Sequence, residues 1–365
     1  PRGKAFEAAC AERLQASHAV ACASGSAALE IALRGLGIGP GDEVIVPTLT
    51  WVATGMAVLQ VGARPVFCDV DPTTHNATVE SVSRAWSPRT RAVVCVDFAG
   101  VPADVEGLRR LCDERGAGLV EDAAHSFGAT HPNGRPVGTD GAAHVATFSF
   151  HPAKTITTAE GGLLTTSNAP LAERLRRIRS GGLTRDFDGS RGGWDCLATE
   201  VGGNFHLNEL SAAIGLVQLE RVDELLELRA QAYADLYDAL EPLASAGRLA
   251  RPTHPAGSSH NLFVVELEER FDRDAVLRGL ADEQVRAHVH YPLLHRQPVF
   301  ASQATDRQAL LWPEASYEVA ECHVERALSL PLFAGLTQDQ IDQVATALER
   351  VLERPAVRRD TSLAA

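Results

Sequence analysis

Lysine is nearly missing from this sequence of 365 residues. Of its 34 lysines and arginines, only Lys4 and Lys154 are lysines, so arginine carries almost all of the positive charge. Acidic residues are in excess, and the formal net charge is −13. Proteins that bind nucleic acid or an anionic membrane surface need a basic face, so this balance argues against both kinds of partner.

Long apolar runs and paired cysteines are also absent. No stretch approaches the roughly 18 apolar residues that a transmembrane helix needs, and no signal peptide is visible. The seven cysteines are scattered without a C-x-x-C pair. This spacing favours free thiols in a reducing compartment over a disulfide framework or a zinc site. We therefore expect a cytoplasmic protein.

The motifs of several common enzyme classes do not occur. The sequence has no H-E-x-x-H, no G-x-G-x-x-G after a strand, no Walker loop and no G-x-S-x-G elbow. His288, His290 and His295 lie close together, but no matching set of cysteines or carboxylates accompanies them. We therefore expect no metal site there.

Helical patterns alternate with short apolar runs bounded by glycine, proline or aspartate, which is typical of an α/β sheet with strands buried on both faces. We expect helices at 5–16, 26–35 and 104–115 and strands at 43–46 and 143–150. After Asn204 one long helical pattern ends at Pro242, followed by strand, helix, strand and a last helix after "LPLFAGLT". These patterns predict a large α/β domain over residues 1–225 and a smaller α+β domain over residues 226–365.

Lys154 follows the strand predicted at 143–150, in a turn that contains Pro152. Side chains at the carboxyl end of a strand in an open α/β sheet face the crevice where ligands bind. Most lysines simply lie on the surface. A lysine retained here, in a chain that otherwise uses arginine, indicates chemistry that arginine cannot do, because arginine stays protonated. Lys154 is predicted to be a Schiff-base lysine.

Three further segments suit an enzyme that uses pyridoxal 5'-phosphate (PLP). In "LVEDAAHSFGA", Asp122 comes at a strand end, where it could hold the pyridine nitrogen protonated or only cap the next turn. In "ASGSAALEIAL", Gly25 and Ser26 open a helix whose free N–H groups could bind phosphate. Alternatively, the serine and glycine residues only cap the helix. Trp51 in "PTLTWVAT" could stack on a planar ring or lie in the core.

The ordered segments "SGSAAL", "PTLTWVAT", "EDAAHSFGA", "FSFHPAKTITTAEGG" and "GGNFHLNELSAAIGLVQLE" resemble the motifs of the PLP-dependent sugar aminotransferases of the DegT/StrS family. The resemblance extends from about residue 18 to residue 350. It implies the fold type I aminotransferase architecture, in which helices flank a large, mostly parallel sheet and a smaller α+β domain follows. It also implies a homodimer with active sites at the subunit interface.

The resemblance implies roles for residues around the cofactor ring. Lys154 matches the lysine that forms the Schiff base, and Asp122 matches the acid at the pyridine nitrogen. Trp51 matches an aromatic side chain that stacks on the ring. His125 occupies a position, usually Gln or His, that lies beside the 3-hydroxyl of the cofactor.

Other positions match the family's phosphate site. Gly25, Ser26 and Ser149 correspond to residues that bind the phosphate, and Asn204 corresponds to an asparagine that reaches the phosphate in the partner subunit. The family usually has Ser-Gly-Thr where this chain has Ser-Gly-Ser, and usually has arginine where His206 stands.

The resemblance also implies a reaction. Glutamate or glutamine would donate the amino group, and a nucleotide-linked keto-deoxysugar would accept it, giving an amino sugar for an antibiotic, another secondary metabolite or a surface glycan. A keto-cyclitol is the alternative acceptor. A non-catalytic relative that binds a ligand in a regulatory role is the alternative from another class, but Lys154 and Asp122 are both present. The segment 181–195, with Arg185, is predicted to form a loop over the acceptor.

Overall fold

The computed structural model describes residues 1–185, 196–253, 256–301 and 317–359. Helices and strands alternate through its first half, as the sequence pattern predicts. The helices are α1 (Arg2–Leu14), α2 (Gly25–Gly35), α3 (Val52–Gln60), α4 (Val79–Arg84), α5 (Val105–Glu114), α6 (Ala169–Arg179), α7 (Glu209–Glu220), α8 (Val222–Ala239), α9 (Glu241–Ser245), α10 (Arg273–Asp282), α11 (Pro298–Ala301), α12 (Glu318–Arg326) and α13 (Gln338–Glu353). The strands are β1 (His18–Cys22), β2 (Glu43–Pro47), β3 (Arg64–Cys68), β4 (Thr90–Val96), β5 (Gly118–Asp122), β6 (Val145–Ser149), β7 (Gly162–Thr166), β8 (Leu183–Arg185), β9 (Cys196–Ala198), β10 (Leu249–Ala250), β11 (Phe263–Leu267) and β12 (Ala327–Leu330).

The first seven strands form one sheet in the order β1-β7-β6-β5-β4-β2-β3. The five neighbouring strands β3, β2, β4, β5 and β6 are all parallel to one another. Strand β7 is antiparallel to both of its neighbours, β1 and β6. Since β5 and β6 are parallel neighbours, their carboxyl ends meet at one edge of the sheet, with Asp122 ending β5 and Ser149 ending β6. This is the edge at which open α/β sheets bind ligands.

Both faces of this sheet are covered by helices. On β2, Val44 and Val46 pack with residues of α2, α3 and α6, whereas Ile45 packs on the opposite face with residues of α4 and α5. Strand β5 alternates in the same way, with Val120 on the first face and Leu119 on the second. Because side chains alternate along a strand and both faces are buried, the strands appear in the sequence as continuous apolar runs.

A second, antiparallel sheet has the order β10-β11-β12. Its core is shared with α8, α10 and α13, and Leu236, Val265 and Leu348 are fully buried within it. Helix α8 also places Val222 in a core of the first sheet, so it contributes to both cores. The predicted boundary between residues 225 and 226 falls within this helix, and the division into two domains stays a prediction.

Two sequence-based expectations were wrong. The long helical pattern after Asn204 is not one helix ending at Pro242, because the backbone of Arg221 leaves the helical region (φ −105°, ψ 6°) and separates α7 from α8. Pro242 instead lies in the first turn of α9, where its missing N–H costs nothing. The strand expected after α10 is reduced to a single bridge between His288 and Ser329.

Within the described part of the chain, no helix is long and apolar enough to cross a membrane. All seven cysteines are free thiols, and only Cys196 and Cys322 are exposed.

Gly162, at the start of β7, allows that strand to lie directly against the segment that precedes α2. A Cβ atom on residue 162 would lie 2.3 Å from the carbonyl oxygen of Ser24. Because this contact is with backbone, the start of α2 would have to move. We expect Gly162→Ala to lower the free energy of unfolding by about 1–3 kcal/mol, the usual cost of overpacking, as measured by urea denaturation.

Gly39→Ala is the matched control, because the nearest atom to a Cβ there lies 3.9 Å away. We expect its effect to stay within about 0.5 kcal/mol. Equal losses for the two variants would mean that the contact between β7 and the start of α2 is not tight.

Candidate active site

A pocket of about 310 Å³ opens at the carboxyl edge of β5 and β6. Seven of the eight residues selected from the sequence line it, although they come from segments far apart along the chain. These seven are Gly25, Ser26, Trp51, Asp122, His125, Ser149 and Lys154. The eighth, Asn204, lies outside the pocket on an exposed segment that forms a bridge with Ser180.

Lys154 lies in the turn after β6, where its N–H donates to the carbonyl oxygen of His151 over 2.9 Å. The side chain is partly buried. Burial lowers the pKa of Lys154 to about 8, and the charge of Asp122 opposes that fall. A lysine with this pKa has a substantial neutral fraction near neutral pH, and the neutral amine is the nucleophilic form.

Asp122 is buried at the end of β5 and is held by two donors. The hydroxyl of Thr54 donates to its Oδ2 over 2.9 Å, and the N–H of Ala124 donates to its Oδ1 over 3.3 Å. Burial raises the pKa of Asp122, while these hydrogen bonds and the charge of Lys154 oppose the rise. A cationic group beside this carboxylate, such as a protonated pyridine, would stabilise its ionised form.

The start of α2 forms another wall of the pocket. The Ser24 hydroxyl accepts the N–H of Ala27 over 3.1 Å, so Ser24 is the residue that caps the helix. A Cβ atom on Gly25 would lie only 2.8 Å from the Cβ of Ser149, so glycine is what lets the helix start approach β6. Gly25, Ser26 and Ser149 therefore border one space, next to a helix N-terminus that favours anions.

Trp51 and His125 border the same pocket, and Tyr291 lies between them. The ring centroid of Tyr291 is 5.6 Å from that of Trp51, and its hydroxyl oxygen is 3.0 Å from Nε2 of His125. Trp51 is 57% exposed, which excludes the interpretation of it as a core tryptophan. His125 is buried, and burial, with the charges of Lys154 and His290, holds its pKa well below the usual range.

Of the three histidines that lie close together in the sequence, His290 and His295 have different side-chain partners. Nδ1 of His290 is 2.7 Å from the hydroxyl of Ser329, whereas His295 contacts Thr48 and Glu321. The absence of a metal from this segment stays a prediction.

Among the described residues, the group whose ligand atoms are close enough to share an ion is His75, Glu266 and His323. Its carboxylate accepts hydrogen bonds from both histidines and is paired with Arg326. These contacts account for the group as a hydrogen-bonded network that includes the ion pair between Glu266 and Arg326, outside the pocket described above.

The model of the DegT/DnrJ/EryC1/StrS aminotransferase family matches residues 1–349 of this chain. The chain belongs to this family.

Solved structures with the same fold support the assignment. DesV from S. venezuelae, solved in complex with a ketimine intermediate, is 35% identical with a TM-score of 0.84, over 97% of this chain and 90% of DesV. PseC from Helicobacter pylori, an aminotransferase involved in pseudoaminic acid biosynthesis, is 27% identical with a TM-score of 0.86, over 97% and 91%. The PLP form of Spr1654 from Streptococcus pneumoniae, a putative sugar aminotransferase, is 26% identical with a TM-score of 0.85, over 97% and 91%.

The fold and enzyme class expected from the sequence are thereby confirmed: the chain is a PLP-dependent aminotransferase with a mostly parallel central sheet flanked by helices. The roles of the individual pocket residues stay predictions. Residues 186–195 of the predicted acceptor loop lie outside the described residues, as does the side chain of Arg185.

The pocket residues fit PLP in chemistry as well as in position. The pocket is surrounded by a primary amine, a buried carboxylate and the N-terminus of a helix. The helix N-terminus carries partial positive charge and so favours a phosphate, and the amine and carboxylate suit the rest of the cofactor. Nδ1 of His125 is buried and has no hydrogen-bond partner among the described residues, so it is available to a polar atom of a bound group. Lys154 would form the bond to the cofactor, and Asp122 would bind its ring nitrogen. The start of α2, together with Ser149, would bind its phosphate.

Sequence reasoning missed Thr54, His290 and Tyr291. Thr54 occurs in "PTLTWVAT", but a threonine in a helix gives no sign that its hydroxyl will reach a carboxylate at the end of a distant strand. His290 and Tyr291 occur in "AHVHYPLLHRQP", a segment whose residues gave no sign of a contact with the cofactor. Their place in the pocket depends on tertiary structure alone.

The two lysines of this chain make the chemistry of Lys154 directly measurable. In the cofactor-free protein, we expect reductive methylation of Lys154 to become faster as the pH rises through about 8, because only the neutral amine reacts. Mass spectrometry of the digested protein follows Lys154, and the exposed Lys4 on α1 serves as the internal reference.

Asp122→Asn should move this midpoint to lower pH, because the charge of Asp122 is what raises the pKa of Lys154 against burial. A wild-type midpoint near 10.5, the ordinary value for lysine, would contradict the burial of the amine. An unchanged midpoint in Asp122→Asn would contradict its electrostatic coupling to Asp122.

Proposed function

We propose that this protein transfers the amino group of glutamate or glutamine to a nucleotide-linked keto-deoxysugar, with PLP as its cofactor, in the cytoplasm. The observation that carries the proposal is the low-pKa amine of Lys154 sharing one pocket with the buried Asp122 carboxylate. The names of PseC and Spr1654 support a sugar acceptor. The amino sugar would enter a secondary metabolite, such as an antibiotic, or a surface glycan.

PLP, when bound, supplies the electron sink for the C–H bond that breaks at the donor's α-carbon. The residues of this chain bind and orient the cofactor and the substrates, and they transfer protons. Nζ of Lys154, with a pKa of about 8, can accept a proton and return it near neutral pH. Asp122, fixed by Thr54, presents a carboxylate on the wall formed by β5. The start of α2 favours an anion beside Ser26 and Ser149.

A second copy of the chain is proposed to complete the site, and helix α7 is the surface that supports this. One face of α7 packs on α1, where Gly215 lies against Phe6. Its opposite face exposes Leu210, Ile214 and Val217, which are 81%, 44% and 56% exposed. A helix that is apolar all round is normally buried. Because Asn204 lies just before this helix and outside its own pocket, we propose that it reaches the partner's phosphate site.

The absorption spectrum tests the first half of the reaction. With PLP, we expect the wild type to develop the visible band of a lysine-bound cofactor, and glutamate or glutamine to bleach it. Lys154→Arg keeps the positive charge but cannot form the bond, so it should lack the band, as should Lys154→Ala. A wild type that forms no band would favour a non-catalytic, ligand-binding relative.

The acceptor is tested on enzyme that the donor has already converted. We expect nucleotide-linked 3-keto or 4-keto deoxyhexoses to restore the visible band, and a keto-cyclitol to leave it bleached. Restoration by the cyclitol alone would overturn the proposed acceptor while leaving the aminotransferase assignment intact.

The subunit proposal is tested by placing a charge in the exposed face of α7. We expect Ile214→Asp to convert a dimer into a monomer in light scattering after size-exclusion chromatography, because an unpaired charge in an apolar interface is costly. The monomer should also retain PLP less well, because Asn204 would no longer reach the partner's site.

Phe333→Asp is the control, since Phe333 is also exposed, at 44%, but lies outside α7. A dimer that survives Ile214→Asp, or a wild type that is monomeric, would contradict the assignment of this face.

A further inference from the structure

Tyr291 forms a hydrogen bond with His125 in the pocket wall, and the proposed reaction leaves Tyr291 without a role. The two side chains come from opposite halves of the chain, and both are buried. Their contact joins the Tyr291 hydroxyl to Nε2 of His125 over 3.0 Å. The backbone of His125 is held as well, because Ser259 donates to its carbonyl oxygen over 2.5 Å.

The direction of this hydrogen bond follows from the partners available. The hydroxyl of Tyr291 has one hydrogen, and burial raises the pKa of that hydroxyl, so it stays protonated. Among the described residues, Nε2 of His125 is the acceptor that the structure gives it. If Nε2 carried a hydrogen and donated instead, both the hydroxyl hydrogen and the lone pair of Nδ1 would be left without partners there, whereas donation by the hydroxyl leaves only Nδ1–H unpaired.

A histidine that accepts at Nε2 must carry its hydrogen on Nδ1 when it is neutral. Burial keeps His125 neutral, because it lowers the pKa far below the usual range. Nδ1 is buried and has no partner among the described residues. His125 thus carries a donor with no acceptor in the wall of a pocket that also contains Lys154 and Asp122.

We infer that Tyr291 is a positioning residue that fixes the tautomer of His125, so that Nδ1–H is always the donor presented to the 3-oxygen of PLP. The inference rests on the proposed function for the identity of the acceptor atom, but the tautomer itself belongs to this chain alone. Without Tyr291, no hydrogen bond from the described residues would select between the tautomers in the cofactor-free protein. The alternative tautomer would turn the lone pair of Nδ1 toward an anionic oxygen and repel it.

The tautomer can be measured without cofactor. In protein labelled with ¹⁵N at histidine, the ring resonances of His125 are identified by their loss in His125→Phe. We expect a protonated-nitrogen shift for Nδ1 and an unprotonated shift for Nε2, with averaging between the two in Tyr291→Phe. A wild-type spectrum with the hydrogen on Nε2 would overturn the inference whether or not PLP binds.

Cofactor binding gives the second readout. We expect Tyr291→Phe to raise the dissociation constant of PLP by about twofold, because averaging between the tautomers leaves only about half of the protein with its hydrogen on Nδ1. The pH at which the visible band titrates should rise, because an N–H directed at the ring oxygen draws electron density away from the protonated Schiff base.

A double-variant cycle separates this role from simple packing. If Tyr291 acts through His125, adding Tyr291→Phe to His125→Phe should leave PLP affinity unchanged. Equal effects of Tyr291→Phe in both backgrounds, or none in the wild type, would overturn the inference. Tyr233→Phe is the matched control, because it removes another buried hydroxyl, which is bonded to the Thr253 carbonyl over 3.0 Å and belongs to a residue that lines a different pocket. Failure of the wild type to bind PLP would instead contradict the proposed function.

Discussion

Burial of the Lys154 amine in the same pocket as the Asp122 carboxylate is the interaction on which this site depends. Each group would be costly to bury alone, and each favours the charged form of the other. Burial prevails at the lysine, whose pKa falls to about 8. The fold maintains the balance because β5 and β6 are parallel neighbours whose carboxyl ends deliver both groups to one edge of the sheet.

The tight approach of α2 to that edge depends on two glycines. Gly25 and Gly162 leave room where any Cβ atom would meet Ser149 or the backbone of Ser24. The C-terminal half of the chain then completes the wall by inserting Tyr291 beside His125. The pocket is therefore assembled by both halves of the chain, and under the proposed dimer a second copy would add Asn204 to it.

Sequence alone predicted most of what depends on local pattern. Alternating helices and buried strands, the helix start at Gly25 and the strand ends before Asp122 and Lys154 are all set by short-range signals. The break at Arg221 was missed because the apolar pattern continues across it. Thr54 and Tyr291 were missed because their roles are contacts with distant residues, and neither residue type indicates such a partner by itself.

The most direct test of this account is to treat the PLP-loaded protein with borohydride, which makes the lysine–cofactor bond permanent, and to locate the pyridoxyl group by peptide mass spectrometry. With only two lysines in the chain, the result is unambiguous. We expect the label on Lys154 alone, and its loss when Lys154 is replaced by arginine. A label on Lys4, or no label on either lysine, would contradict the assignment of this pocket as the catalytic centre.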